Sequence, residues 1–345
     1  MDGPDALELA TAYRGDIAEA RYRGHVAVVA ADGTVLGAIG DPATVTALRS
    51  CVKPLQALPF VRDAVDELGV TPDEIAVACA SHNGEDIHVR AVATLLARAG
   101  LNEGALACGP QPPMGPTAAR ELIAAGLPAR PIHNNCSGKH AGMLAACVVA
   151  GWTTEGYQRI DHPMQRSVAA AMDEYLGHHL SRAPVAVDGC GLPTYGVPLS
   201  ALARGFAAAQ TDAAFRRCQE AMAAHPMMVA GTGRFDTALL EDFGTAVTAK
   251  IGGAAVWVAC ARPAGPGVAV KLEGGVDSAV APIALATLRS LGLLPDRVTP
   301  GLAAYARPVL RNWAGEPVGE IRVEKAAFAQ LRSGGSSGGI PPTVL

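Results

Sequence analysis

The stretch His25-Val-Ala-Val-Val-Ala-Ala31, Asp32-Gly33, Thr34-Val-Leu-Gly-Ala-Ile39 places two apolar, β-branched runs on either side of a dipeptide that tight hairpin turns prefer. Working outward, the pattern changes period. Leu55, Leu58, Val61 and Val65 fall at helical spacing, and Thr71-Pro-Asp-Glu74 is a helix-start signal. Helical runs are expected over 85–99, 137–150, 164–176 and 213–224. The last third returns to strand-like runs at 245–248, 254–260 and 267–272, then a helix over 279–291 and a strand near 321–323. Strands first, helices in the middle and strands again predict an α+β fold. One antiparallel sheet is built from both ends of the chain, with flanking helices and an inserted helical lobe. The expected catalytic unit spans 10–330, with lobes 10–85 plus 240–330 and 86–239, and a flexible Gly/Ser tail at 333–345.

Composition narrows the function. The chain has 345 residues, 50% of them hydrophobic, and a net charge of −4, which excludes disorder over most of its length. Balanced charge with no basic cluster argues against nucleic acid as a partner. No apolar run approaches the roughly 20 residues of a membrane span. Met1-Asp-Gly-Pro-Asp5 carries no basic stretch leading into an apolar one, so a cytoplasmic protein with reduced thiols is expected for the eight cysteines. Lysine is scarce, with five in the chain. Each is therefore informative, because arginine cannot replace lysine as a proton acceptor.

Three constellations carry chemistry. In Arg49-Ser50-Cys51-Val52-Lys53-Pro54, Ser50 and Lys53 share a face of one helical turn, and a neutral lysine there can take the seryl proton. A helix cap is the simpler reading of Ser50. His133-Asn-Asn-Cys136-Ser-Gly-Lys139-His140 packs seven polar or ligating side chains at the head of an apolar helix. Polar groups buried without partners are costly, and a cation in a first turn opposes the helix dipole, so capping does not explain Lys139. Asp188-Gly-Cys190-Gly-Leu-Pro-Thr194 combines tight backbone with a carboxylate and a thiol. Cys136, Cys190 and a nitrogen from Lys139 or His140 form a zinc donor set, although no C-x-x-C spacing supports it. Two more segments have site character: Ala80-Ser81-His82-Asn83-Gly84-Glu85 and Gly231-Thr-Gly233-Arg234-Phe-Asp236-Thr237. Lys250-Ile-Gly252 has the Lys-x-Gly form found on a strand of serine acylases.

Taken together and in this order, these motifs resemble the asparaginase II family of the rhizobial type, over roughly residues 10 to 325. The Cys136-Ser-Gly-Lys139-His140-Ala-Gly-Met143 block is the most specific. The resemblance implies hydrolysis of L-asparagine to aspartate and ammonia in a fold similar to serine β-lactamases and glutaminases. It also implies a homodimer. The catalytic serine and lysine fall on Ser50 and Lys53, and Ser81 is counted with them. Zinc is implied on Cys136, Lys139 and Cys190, with His140 beside these ligands rather than on the metal. Arg49, His82, Asn135, Asp188, Arg234 and Lys250 are expected around the substrate. Two departures stand out. Asn83 occupies a position where serine is expected, and Glu273-Gly-Gly-Val-Asp277 lacks an expected Asp-Gly and following Arg.

The expected chemistry is acyl transfer, with Lys53 taking the Ser50 proton, ammonia leaving and water releasing aspartate. Asp188 is expected on the substrate ammonium and Arg234 on its carboxylate. Two alternatives remain. A serine acylase of the penicillin-binding or β-lactamase type shares Ser-x-x-Lys, and a non-catalytic zinc- or amino-acid-binding protein keeps the cysteines without needing Ser50.

Overall fold

The computed structural model describes residues 5–333. Its strands are β1 Leu7–Arg14, β2 Ile17–Val29, β3 Val35–Ile39, β4 Val45–Ala47, β5 Val185–Val187, β6 Pro193–Pro198, β7 Val247–Gly252, β8 Val256–Ala261, β9 Gly267–Leu272, β10 Val309–Arg311 and β11 Pro317–Val323. The chain divides into two compact units. One holds the residues up to Cys51, Val197–Ala208 and the chain from Ala249 on; the other holds Val52–Gly196 and Ala209–Thr248. The sheet unit therefore ends at Cys51 instead of running on to 85, and residues 52–85 belong with the helices. Their apolar 3.6-residue periodicity is what buries them there.

The first unit is organised by an eight-stranded sheet in the order β10-β11-β1-β2-β9-β8-β7, with β3 paired to β2. The first two strands lie between β11 and β9, so both ends of the chain do build the sheet, as the α+β reading expected. The β2–β3 and β2–β9 pairs are antiparallel, with Val26 opposite both Ile39 and Val270. Every residue of β8 is buried, so both faces of the sheet are covered. Helix Leu199–Ala208 packs on β2, β8 and β9, and helix Val280–Ser290 packs on β8, β9 and β11. Gly267 lets the first of these come close, since a Cβ there would sit 1.8 Å from the Ala203 carbonyl oxygen. The tail expected at 333–345 lies outside the described residues from 334 on, and Ser333 closes a helix, Lys325–Ser333.

The second unit surrounds helix Ser137–Val149, which packs on helices Leu58–Asp63, Pro72–Ala78 and Asp86–Arg98. Gly138 permits this, because a Cβ there would fall 2.1 Å from the Val77 carbonyl oxygen. Helix Pro72–Ala78 starts where the sequence signals it, with the Thr71 N–H donating to the Glu74 carboxylate at 2.7 Å. No helix among the described residues is long and apolar enough to cross a membrane. All eight cysteines are buried, and none is in a disulfide.

Candidate active site

Lys53 opens the short helix Lys53–Gln56, where Pro54 is tolerated because first-turn N–H groups have no helical acceptor. Its side chain is fully buried. Nζ donates to the Ala80 carbonyl at 2.5 Å, to Ser81 Oγ at 3.0 Å and to the Asn135 carbonyl at 3.2 Å. The Cys136 thiol also lies within hydrogen-bond reach of this ammonium. Ser81 follows the end of helix Pro72–Ala78, and its N–H is held by the Val229 carbonyl at 3.0 Å. The spacing of the first motif pairs Lys53 with Ser50, whereas this contact joins Lys53 to Ser81.

Ser50 lies half-buried in the 3₁₀ turn Arg49–Val52, on the sheet unit. Arg49 has φ of +46°, a strained value for a side chain of this size. Lys250 is buried in β7 of the same unit, and its Nζ donates to the Ile251 carbonyl at 2.8 Å.

The remaining expected residues belong to the helical unit. His82 Nδ1 accepts the Gly84 N–H at 3.1 Å, which leaves Nε2–H to donate to Ser137 Oγ at 3.0 Å. The ring stacks on His88 with centroids 4.9 Å apart. With both nitrogens engaged by neighbours, His82 braces the 81–84 loop against the head of helix Ser137–Val149. Asn135 contributes its carbonyl to Lys53, while its side-chain amide makes no hydrogen bond among the described residues. Asn134 carries a role the sequence reading missed. Its Oδ1 accepts the Cys136 N–H at 2.9 Å, and its Nδ2 donates to the Cys108 carbonyl at 2.9 Å. The Asn134-Asn135 doublet was the available signal.

Asp188 and Cys190 are delivered by the loop of a hairpin in which β5 pairs with β6 and Val187 faces Pro193. Gly191, at φ of +84°, makes the turn that closes it, donating its N–H to the Asp188 carbonyl at 2.8 Å. Lys139 Nζ lies 3.5 Å from Cys190 Sγ, and both side chains are buried. The Cys190 thiol also donates to Cys136. That hydrogen bond, with Lys53 and Lys139 close by, holds the Cys136 thiol well below its ordinary range despite burial. The same bond, together with burial, pushes Cys190 up. Burial works against the Lys139 charge, but Cys136, Cys190 and Asp188 outweigh it and raise its pKa.

Two thiols and an amine are soft and borderline donors that suit zinc, and a stabilised thiolate is the form a metal binds. Among the described residues no group of three or more His, Cys, Asp or Glu side chains could hold a metal ion, so Lys139 is needed to complete this set.

Arg234 comes to the same stretch of chain as Ser81. Its Nη1 donates to Asn83 Oδ1 at 2.9 Å, and Asn83 Nδ2 donates to Glu85 Oε1 at 2.9 Å. The Glu85 carboxylate in turn accepts the Thr232 N–H at 3.0 Å. Arg234 is thus oriented by a neutral amide and keeps its charge available for an anion.

Among curated proteins none matches the chain. A family of hydrolases does, and its match takes in every motif that builds this site: from residue 10 to residue 323 the chain fits L-asparaginase II, and it belongs to that family.

Proposed function

We propose that the protein hydrolyses the side-chain amide of L-asparagine through a seryl acyl-enzyme, with Lys53 as the group that takes the seryl proton. The family supports an L-asparaginase. The observation that carries the mechanism is the 3.0 Å contact between Lys53 Nζ and Ser81 Oγ in a fully buried setting. In its neutral form the amine accepts the Ser81 proton as Oγ bonds to the amide carbon. The proton then passes to the leaving nitrogen, ammonia departs, and water cleaves the ester to give aspartate. Ser50, the hydroxyl that the motif spacing favours, is the second candidate for the nucleophile.

Arg234 suits the substrate carboxylate because, among the described residues, its guanidinium is paired to an amide and to no carboxylate. Asp188, which bears on Lys139 electrostatically, supplies the anion expected near the substrate ammonium. Cys136, Lys139 and Cys190 would hold zinc, which when bound acts as a Lewis acid on a substrate oxygen. A homodimer follows from the family resemblance, and a cytoplasmic location accords with eight cysteines outside any disulfide.

Ammonia release from L-asparagine, with L-glutamine in parallel, tests the reaction. Release from asparagine well above glutamine supports the reading. Release from neither substrate, with zinc added or withheld, would replace it with a binding protein. Faster release from glutamine would keep the chemistry and change the substrate.

A further inference from the structure

Tyr157 and His140 are both buried, and their rings meet edge to face with centroids 5.5 Å apart. The Tyr157 hydroxyl lies 2.6 Å from His140 Nδ1 and accepts the Ala107 backbone N–H at 3.0 Å. His140 Nε2 has no hydrogen-bond partner among the described residues. A buried ring nitrogen left this way needs an explanation.

Counting donors and acceptors settles which tautomer is present. A phenol has one O–H to donate, and a neutral imidazole has one N–H and one bare nitrogen. If Tyr157 donates to Nδ1, every group is satisfied except the Nε2–H. If Nδ1–H donates to Tyr157 instead, the phenol proton and the Nε2 lone pair are both stranded. One unsatisfied buried group is better than two, so the first arrangement holds. The imidazolium fares no better, since a ring protonated on both nitrogens strands the phenol proton and the Nε2–H together.

The stranded group is therefore an N–H donor. His140 follows Lys139 on helix Ser137–Val149, and the natural complement of a buried N–H is an oxygen and not an ammonium. We infer that Tyr157 is a positioning residue: it fixes His140 in the Nε2–H form, so that a neutral donor meets an oxygen of the bound amino-acid substrate. The identity of that substrate rests on the asparaginase reading above. Tyr157 carries no sequence signal, because it lies in a loop away from every motif.

Nitrogen-15 NMR of the histidine-labelled, full-length protein reads the tautomer directly. The wild type is expected to show His140 neutral and protonated at Nε2, and Tyr157→Phe to release it toward the Nδ1–H form. L-aspartate, added as the probe, should shift the Nε2 resonance of the wild type. In kinetics, Tyr157→Phe should lower kcat/KM about tenfold or more. His140→Gln, whose amide nitrogen reaches the place of Nε2, should retain more activity than His140→Asn, whose amide sits at the place of Nδ1. An Nδ1–H tautomer in the wild type, an unchanged tautomer in Tyr157→Phe, or no shift with saturating aspartate overturns the inference. Should Tyr157→Phe fail to fold, the wild-type spectrum and the Gln/Asn ordering decide it. If the protein releases no ammonia from asparagine, the substrate reading fails while the tautomer comparison still judges Tyr157.

Discussion

Lys53 Nζ stands 3.0 Å from Ser81 Oγ, and the carbonyl oxygens of Ala80 and Asn135 also accept from it. One ammonium therefore joins three separate stretches of chain: the helix that Lys53 opens, the loop of Ser81, and the segment leading into Cys136. Removing it disturbs the chemistry and the packing together, and the two effects have to be measured apart.

Ser81→Ala is expected to lower kcat by at least about a thousandfold while the protein stays folded, since it removes one hydroxyl from a nucleophile–base pair. Lys53→Arg should be nearly as damaging, because a guanidinium cannot accept the proton. Lys53→Met should also lower the melting temperature, as buried acceptors left without a donor cost about 1–3 kcal/mol each. Steady-state ammonia release and thermal melts on the same preparations separate these effects. If Ser50→Ala is inactive and Ser81→Ala is not, the nucleophile is Ser50.

Metal analysis of the purified protein is expected to find one zinc per chain, lost in Cys136→Ser and in Cys190→Ser. Because Lys139 is held protonated by the thiolate and must lose that proton to ligate, loading zinc should release protons into a weakly buffered solution. Ligand at about a hundred times its Kd stabilises a fold by about 2.7 kcal/mol, so chelation should lower the melting point and added zinc restore it. A melting point indifferent to chelator and zinc, in protein that carries no metal, would remove zinc from the site.

How far the sequence was legible follows from what each feature depends on. The β2–β3 hairpin and the helices at 137–149 and 213–224 follow local periodicity and turn chemistry, and both were readable. β1 was missed because the turn joining it to β2, Gly15-Asp16, lacks the Asp-Gly order that signals a tight hairpin, and its other partner β11 lies at the far end of the chain, Ala10 facing Val323. The site divides the same way. Cys136 and Lys139 share one helical turn, so spacing brought them together. Ser81 and Lys53 meet only through tertiary packing, and spacing favoured Ser50. Tyr157 gave no local sign at all, since its role lies wholly in the hydroxyl's distance to His140.

His88 supplies a pH test. Its Nδ1 accepts the Glu85 N–H and its Nε2–H donates to the Met227 carbonyl, both in a buried setting. Burial lowers its pKa below the ordinary 6.5. A histidine that stays neutral when folded contributes its full stability above the unfolded value and loses it as pH falls toward the folded one. The stability gap between the wild type and His88→Gln should therefore be widest above pH 6.5 and narrow as the solution is acidified. Denaturant unfolding at several pH values between about 5 and 8 reads this gap. A gap that widens in acid would mean that the folded protein prefers the charged ring.

Asn83 and Arg234 make the last case. Asn83 is almost fully buried and directs its amide three ways, to Arg234 at 2.9 Å, to Glu85 at 2.9 Å and to the Thr232 carbonyl at 3.0 Å. Gly231, at φ of +112°, brings the backbone so close that a Cβ there would lie 2.8 Å from Asn83 Nδ2. The asparagine therefore sets where the Arg234 charge points. If that charge holds the substrate carboxylate equally in the ground and transition states, removing it raises KM and spares kcat. Arg234→Ala should raise KM for asparagine by about a hundredfold, roughly 2.7 kcal/mol. Asn83→Ala should raise it less, because the charge survives but loses its aim, and Asn83→Ser should fall between Asn83→Ala and the wild type. A loss confined to kcat in Arg234→Ala would show that the arginine acts on the reacting amide, and the substrate carboxylate would then need another partner.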